Sequence, residues 1–242
     1  MLAICKIKPG EEHPSTLANM NNLAFIYRDQ CRWSEAEDLQ VQVLTICKEK
    51  LGKDHPDTLM SMTNLAAIYW NQGQWSEAEA LNMQVLTTYK VKLGEDHPGT
   101  LKSMNNIALI YRDQGQWHQA EAIQVRVLRI HKANLGEDHP DTLTSITNLA
   151  ATYWNQARWP EAEALQFQVL KIHTEKHGED HPSTLRSMSN LTLTYEKQGR
   201  WPEAEGLQVQ VLTARKVKLG KDHPDTLASM MNLASIYWNQ GR

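Results

Sequence analysis

The dipeptide His-Pro falls at His13, His55, His97, His139, His181 and His223, and every interval is 42 residues, without insertion or deletion. A fixed period in this range marks a repeat array, so it constrains the fold before any residue-level argument begins. A chain of 242 residues could otherwise be one or two globular domains. The period makes it one quasi-linear stack instead, in which each unit buries its apolar face only against its neighbours. The register assigns 1–12 to the tail of a second helix, with Leu2 aligned on Leu44, Cys5 on Cys47 and Gly10 on Gly52. Full repeats follow at 13–54, 55–96, 97–138, 139–180 and 181–222, and 223–242 is the first helix of a sixth. Such stacks normally close with polar capping repeats. The expectation is therefore a fragment of a longer protein, or an array whose open ends associate end to end.

Each unit carries two helical patterns. In the first, Leu17, Met20, Leu23, Ala24 and Tyr27 share one face at helical period. Pro14 suits the first turn, where its missing N–H costs nothing. The helix should stop near Gln30, because four of the six units then place glycine (Gly73, Gly115, Gly199, Gly241) where a left-handed residue ends a helix. Cys31 and Ala157 replace that glycine, at about 1 kcal/mol each if φ is positive. The second pattern starts at Trp33-Ser34-Glu35-Ala36-Glu37, where Ser34 and Glu37 fit a capping box. Pro160 and Pro202 stand where Ser34 does, so that boundary is open by one residue. Ala36, Leu39, Val43 and Leu44 mark its buried face. Two antiparallel helices across a short turn make a helical hairpin.

Composition removes several function classes. Lys and Arg number 25 against 28 Asp and Glu, a formal net charge of -3, which is no footprint for duplex nucleic acid. No apolar run reaches membrane-spanning length, and no signal-peptide pattern opens the chain. The three cysteines, Cys5, Cys31 and Cys47, lack metal-type spacing, and a reduced, cytoplasmic setting is the simpler reading.

The motif Leu23-Ala24-x-x-Tyr27, glycine at the turn, an aromatic two positions on and Ala36 at the helix crossing together resemble the tetratricopeptide repeat. The longer unit, with its Leu-Gly-x-Asp-His-Pro loop, resembles the repeats of kinesin light chains. It is equally similar to the near-identical arrays at the C-terminal end of fungal and bacterial NACHT or NB-ARC sensor proteins. The resemblance covers all 242 residues. It implies an all-α, right-handed superhelical solenoid of antiparallel helix pairs, with the first helices lining a concave groove that binds a protein or peptide. HEAT and armadillo units have similar length without this spacing, and WD40 blades would need strands.

Units of one chain can be compared with one another. Thr16, Leu17, Asn22, Tyr27, Gln30, Trp33, Ala36, Val43 and Leu44 head fixed columns, whereas Ala18, Asn21, Phe25, Arg28 and Asp29 head variable ones on a single helical stripe. Below Arg28 the column runs Trp70, Arg112, Trp154, Glu196, Trp238, and below Asp29 it runs Asn71, Asp113, Asn155, Lys197, Asn239. Trp and Arg are the commonest binding hot spots. In the binding reading the tryptophans are anchors, and Arg28, Arg112, Lys102 and Arg186 supply charge for an acidic or amphipathic segment. In the packing reading the tryptophans rest on the neighbouring repeat. Asn22, Asn64, Asn106, Asn148, Asn190 and Asn232 form a ladder beside the stripe. Each has a donor and an acceptor for an extended peptide backbone, or for a bond between helices. In kinesin light chains similar asparagines contact cargo peptide. The lysine-asparagine clamp of chaperone-tail binders is not matched, because the columns of Asn21 and Phe25 hold no Lys and no Asn respectively.

Nothing catalytic assembles. There is no phosphate-loop motif, and no nucleophile-base set can be built from residues that are not simply repeated. The loop histidines start helices rather than bind metal, and no cofactor is expected. Thr192 takes a position held by alanine elsewhere, which predicts a weaker fifth repeat. The sequence thus reads as a non-catalytic protein- or peptide-binding scaffold, the recognition part of a larger sensor or adaptor. The alternative is a self-stacking structural array.

Overall fold

The computed structural model describes residue 10 and residues 12–241. The expected helix tail at 1–12, with Cys5, lies almost wholly outside the described residues. What is described is all helical: α1 (Pro14–Asp29), α2 (Trp33–Leu51), α3 (Pro56–Asn71), α4 (Trp75–Leu93), α5 (Pro98–Asp113), α6 (Trp117–Leu135), α7 (Pro140–Asn155), α8 (Trp159–His177), α9 (Pro182–Lys197), α10 (Trp201–Leu219) and α11 (Pro224–Asn239). First helices of 16 residues alternate with second helices of 19, and consecutive helices pack as pairs, which is the solenoid class expected. The residues group into two compact units, Met1–Ala120 and Glu121–Arg242.

The fixed loop residues turn out to be caps. In each first helix the His side chain is the N-cap: His55 Nδ1 accepts the backbone N–H of Asp57 at 3.2 Å, and His139 that of Asp141 at 3.2 Å. Proline then occupies the first turn. The invariant threonine ties the loop to the helix, as Thr58 Oγ1 donates to the Gly52 carbonyl at 2.8 Å and Thr142 to that of Gly136 at 2.7 Å. At the other end Gly73 has φ 75°, and Cys31 and Ala157 are forced to 58° and 56°.

The capping box at Ser34 and Glu37 does not form. Helix α2 begins at Trp33, its N-cap is Arg32, and no side chain caps it. Ser34 is already helical, so its hydroxyl is past the cap position. The Glu37 column has other work, accepting bonds from the next repeat. In the first unit Gln72 Nε2 donates to Glu37 Oε2 at 2.9 Å, and the Tyr111 hydroxyl donates to Glu79 at 2.9 Å. In the second unit Gln156 and Arg158 both donate to Glu121, at 2.9 Å each. Gln198 and Arg200 repeat this on Glu163. These bonds explain why Tyr27, Gln30 and Glu37 head invariant columns.

Each unit has its own core. In the first, Leu44, Leu59, Met62, Leu65 and Val85 cluster, with Tyr69, Leu81 and Tyr89 against them. In the second, Leu170, Leu185, Met188, Leu191, Val211 and Ala214 do the same. Alanines at the helix crossings, Ala36, Ala78, Ala162 and Ala204, are fully buried and set the close approach of each pair. Thr192 is buried too, its hydroxyl closing on the Met188 carbonyl at 2.9 Å.

Candidate functional site

The variable stripe borders two adjoining cavities in the first unit. One, of about 220 Å³, lies between α1 and α3 and is lined by Asn22, Phe25, Arg28, Met60 and Asn64 above the Gln40 amide. The other, of about 330 Å³, lies toward the helix starts, with Leu17, Ala18, Ile46, Cys47 and Leu51 on its walls. Asn21 and Met60 line both. Phe25 and Met60 are each more than half exposed, and the Arg28 guanidinium lies 4.4 Å from the Phe25 ring. The Asn21 Oδ1 is buried there without a hydrogen-bond partner, as is that of Asn105 in the same column. Thr63, Thr147 and Ser189 of that column instead close on their own helix, at 2.8 to 3.0 Å. The Asn21 and Asn105 amide oxygens are acceptors only, so they cannot close on a helix carbonyl as those hydroxyls do.

The predicted site residues divide. Asn22 and Asn64 face the cavity, whereas Asn106 Nδ2 donates to Asn82 across helices at 3.5 Å. Asn148 and Asn190 are half-buried on α7 and α9, and Asn232 is exposed on α11. Trp70 donates to Asp113 of the next repeat, and Asp113 also holds Arg112 at 3.0 Å. In the second unit Lys197 lies 5.5 Å from the Trp154 ring, while the Trp154 indole N–H is buried without a partner. Trp238 is 82% exposed. Arg28 pairs with Asp29, and Asn71 bonds the Ala67 carbonyl. Asn155, Asn239, Lys102 and Arg186 are exposed, and burial pushes the half-buried Glu196 carboxyl up.

One column is read from sequence only as not requiring sulfur, with no role assigned. It holds Cys47, Tyr89, His131, His173 and Arg215; Cys47 and Arg215 line pockets between repeats, and Cys47, His131, His173 and Arg215 each meet an invariant serine of the following first helix. His131 Nδ1 is 2.8 Å from Ser145 Oγ, His173 Nδ1 is 2.9 Å from Ser187 Oγ, and Arg215 Nη1 donates to Ser229 Oγ at 2.7 Å. Burial is the main cause holding both imidazoles below the ordinary value, with His177 and Arg186 adding at His173. The signal was present, because this column varies as freely as the stripe while its neighbours Val43 and Leu44 do not. Among the described residues no group of three His, Cys, Asp or Glu could hold a metal ion, and no helix is long and apolar enough to cross a membrane.

A family profile described as tetratricopeptide repeat matches at residues 15–90, 64–123, 100–172, 145–216 and 194–242. A crystal structure of kinesin light chain nearly identical TPR-like repeats from Podosopora anserina is 32% identical, with TM-score 0.73, covering 86% of this chain and 98% of that one. A STAND protein with a tetratricopeptide repeat sensor from Pyrococcus horikoshii superposes with TM-score 0.71 at 15% identity, over 99% of this chain and 35% of that one. NprR in complex with its cognate peptide NprX gives TM-score 0.68 at 17% identity, over 100% of this chain and 67% of that one. At these lower identities the likeness is one of fold. No curated protein sequence matches.

Proposed function

The chain belongs to the tetratricopeptide-repeat family, and from that premise we propose that it is a non-catalytic scaffold binding an extended peptide or protein segment along the face of its first helices. The observation that carries this is the pair of adjoining cavities between α1 and α3, which share Asn21 and Met60. They offer apolar surface at Phe25 and Met60 beside the invariant Asn22 and Asn64. An extended backbone supplies donors and acceptors of matching kind. NprR, whose fold this chain shares, is solved with a peptide. The STAND protein carries its repeats as a sensor. Both precedents support a recognition role within a larger sensor or adaptor. The free thiols Cys31 and Cys47 fit a reducing, cytoplasmic setting.

A peptide-display selection on this chain and on Phe25→Ala/Met60→Ala/Asn64→Ala tests the proposal, with circular dichroism confirming that both fold. Enriched peptides should lose about tenfold or more in affinity on the variant. Unchanged affinity would remove the cavity from the account.

The second reading, end-to-end association, draws on α11, where Leu227, Met231 and Trp238 are exposed. Sedimentation that grows with concentration, and reverts in Met231→Lys, would favour it.

A further inference from the structure

The inter-repeat pocket recurs in the second unit, bounded by α9, α10 and α11, with a volume of about 380 Å³. Pro182, Leu185 and Leu219 form its apolar wall, and Arg186, Arg215 and Lys218 face it. We infer that this pocket is a subsite for the carboxylate side chain of an acidic segment, a refinement that rests on the peptide-binding reading above.

The two copies of this pocket differ in charge. The pocket of the first unit is built from equivalent positions, and there Ala18 and Cys47 stand where Arg186 and Arg215 stand here. The helices also stack with alanine and cysteine at these positions, so packing does not demand either arginine. The first-unit pocket has one cation, Lys50, against Glu12 and Asp57. The second-unit pocket has three cations against Asp180 and Asp225.

Those two carboxylates do not neutralise the arginines. Among the described residues, neither Arg186 nor Arg215 has a carboxylate within ion-pair distance. Arg215 uses Nη1 on the Asp225 carbonyl at 3.2 Å and on Ser229 Oγ, which fixes the guanidinium and leaves its remaining N–H groups as donors. Lys218 spends its ammonium on the Asp180 carbonyl at 2.8 Å. The first turns of α9 and α11 border the same space, and their dipoles favour negative charge. A planar, pre-oriented guanidinium suits a carboxylate in two-point contact.

The probe is N-acetyl-glutamate N-methylamide, with the glutamine counterpart as control, titrated into the chain while arginine Nε–H resonances are followed by NMR. A saturable shift at Arg186 and Arg215 is expected, with a dissociation constant on the order of a millimolar. The glutamine counterpart should bind at least about tenfold more weakly. Arg186→Gln, an exposed change, should weaken binding by a similar factor. Arg215→Cys, which installs the first unit's own residue, should abolish it. The reverse pair, Ala18→Arg/Cys47→Arg, should create a second site. Equal shifts from both probes, no saturable shift, or retained binding in Arg186→Gln/Arg215→Cys would overturn the inference. Display on the same variants separates the two readings. Peptides that enrich without needing a carboxylate leave the groove standing and this pocket not. Saturable glutamate binding with no enriched peptide does the reverse.

Discussion

Trp70 on α3 donates its indole N–H to the Asp113 carboxylate on α5, one repeat further along, at 2.9 Å. At this position of the column that alternates between Arg and Trp, the side chain therefore also braces neighbouring first helices. Trp70→Phe keeps the ring and removes the bond. It should cost about 1 kcal/mol in urea unfolding, whereas Trp238→Phe, at a side chain 82% exposed, should cost nothing measurable. Equal losses at the two positions would contradict the bracing role.

The turn between paired helices holds stored strain at two sites. Cys31 and Ala157 have φ of 58° and 56°, where the other described turns use glycine. Ala157→Gly relieves this, against the extra unfolded-state entropy of glycine, and should stabilise by about 0.5–1 kcal/mol. Gly115→Ala, the reverse change at φ 76°, should destabilise by about 1 kcal/mol. Urea midpoints of the two variants decide it.

How much of this was legible follows from what a repeat reveals. The period, the helix pair, the buried Leu-Ala-Tyr face and the positive-φ turn could be read because each depends on residues close in sequence. The jobs of Glu37 and Gln30 could not, because they meet across a repeat boundary, and a local pattern favoured the capping box that Ser34 does not make. The role of the Cys47 column was hidden for a similar reason. Its serine partner lies 14 residues on, in the next helix pair, as Ser61 does at 3.9 Å from the Cys47 sulfur. On the stripe, sequence showed that the positions vary but not which were already engaged. Only the structure separates Asn64, facing a cavity, from Asn106, bonded to Asn82.

The histidine N-caps give a further prediction. His97 Nδ1 accepts from Gly99 N–H at 3.1 Å, so His97→Ala should destabilise by about 1 kcal/mol, and His97→Asn should recover most of it. A His97→Asn variant as weak as the alanine would show that the ring's packing, not its acceptor, sets the column.

Acid sensitivity should trace to His131 and His173. Both are held below the ordinary 6.5 by burial, so between that value and their folded values the unfolded chain binds more protons. Their contribution to stability is complete above about pH 6.5 and is lost as pH falls below it. His131→Tyr, which copies Tyr89 at the equivalent position, should flatten that limb in thermal melts across pH 4.5–7.5, a range set by about the histidine titration. An unchanged limb in His131→Tyr/His173→Tyr would assign the acid loss elsewhere.

The central claim is that the first-helix face receives a peptide. The direct measurement is photo-crosslinking of the chain with a random peptide library carrying benzoylphenylalanine, with the attachment sites mapped by mass spectrometry. The account predicts attachments concentrated on α1 and α3 around Phe25, Met60 and Asn64, and on first helices rather than second helices in the second unit. Attachments spread evenly over both helix sets, or gathered on the exposed faces of α2, α4, α8 and α10, would contradict it.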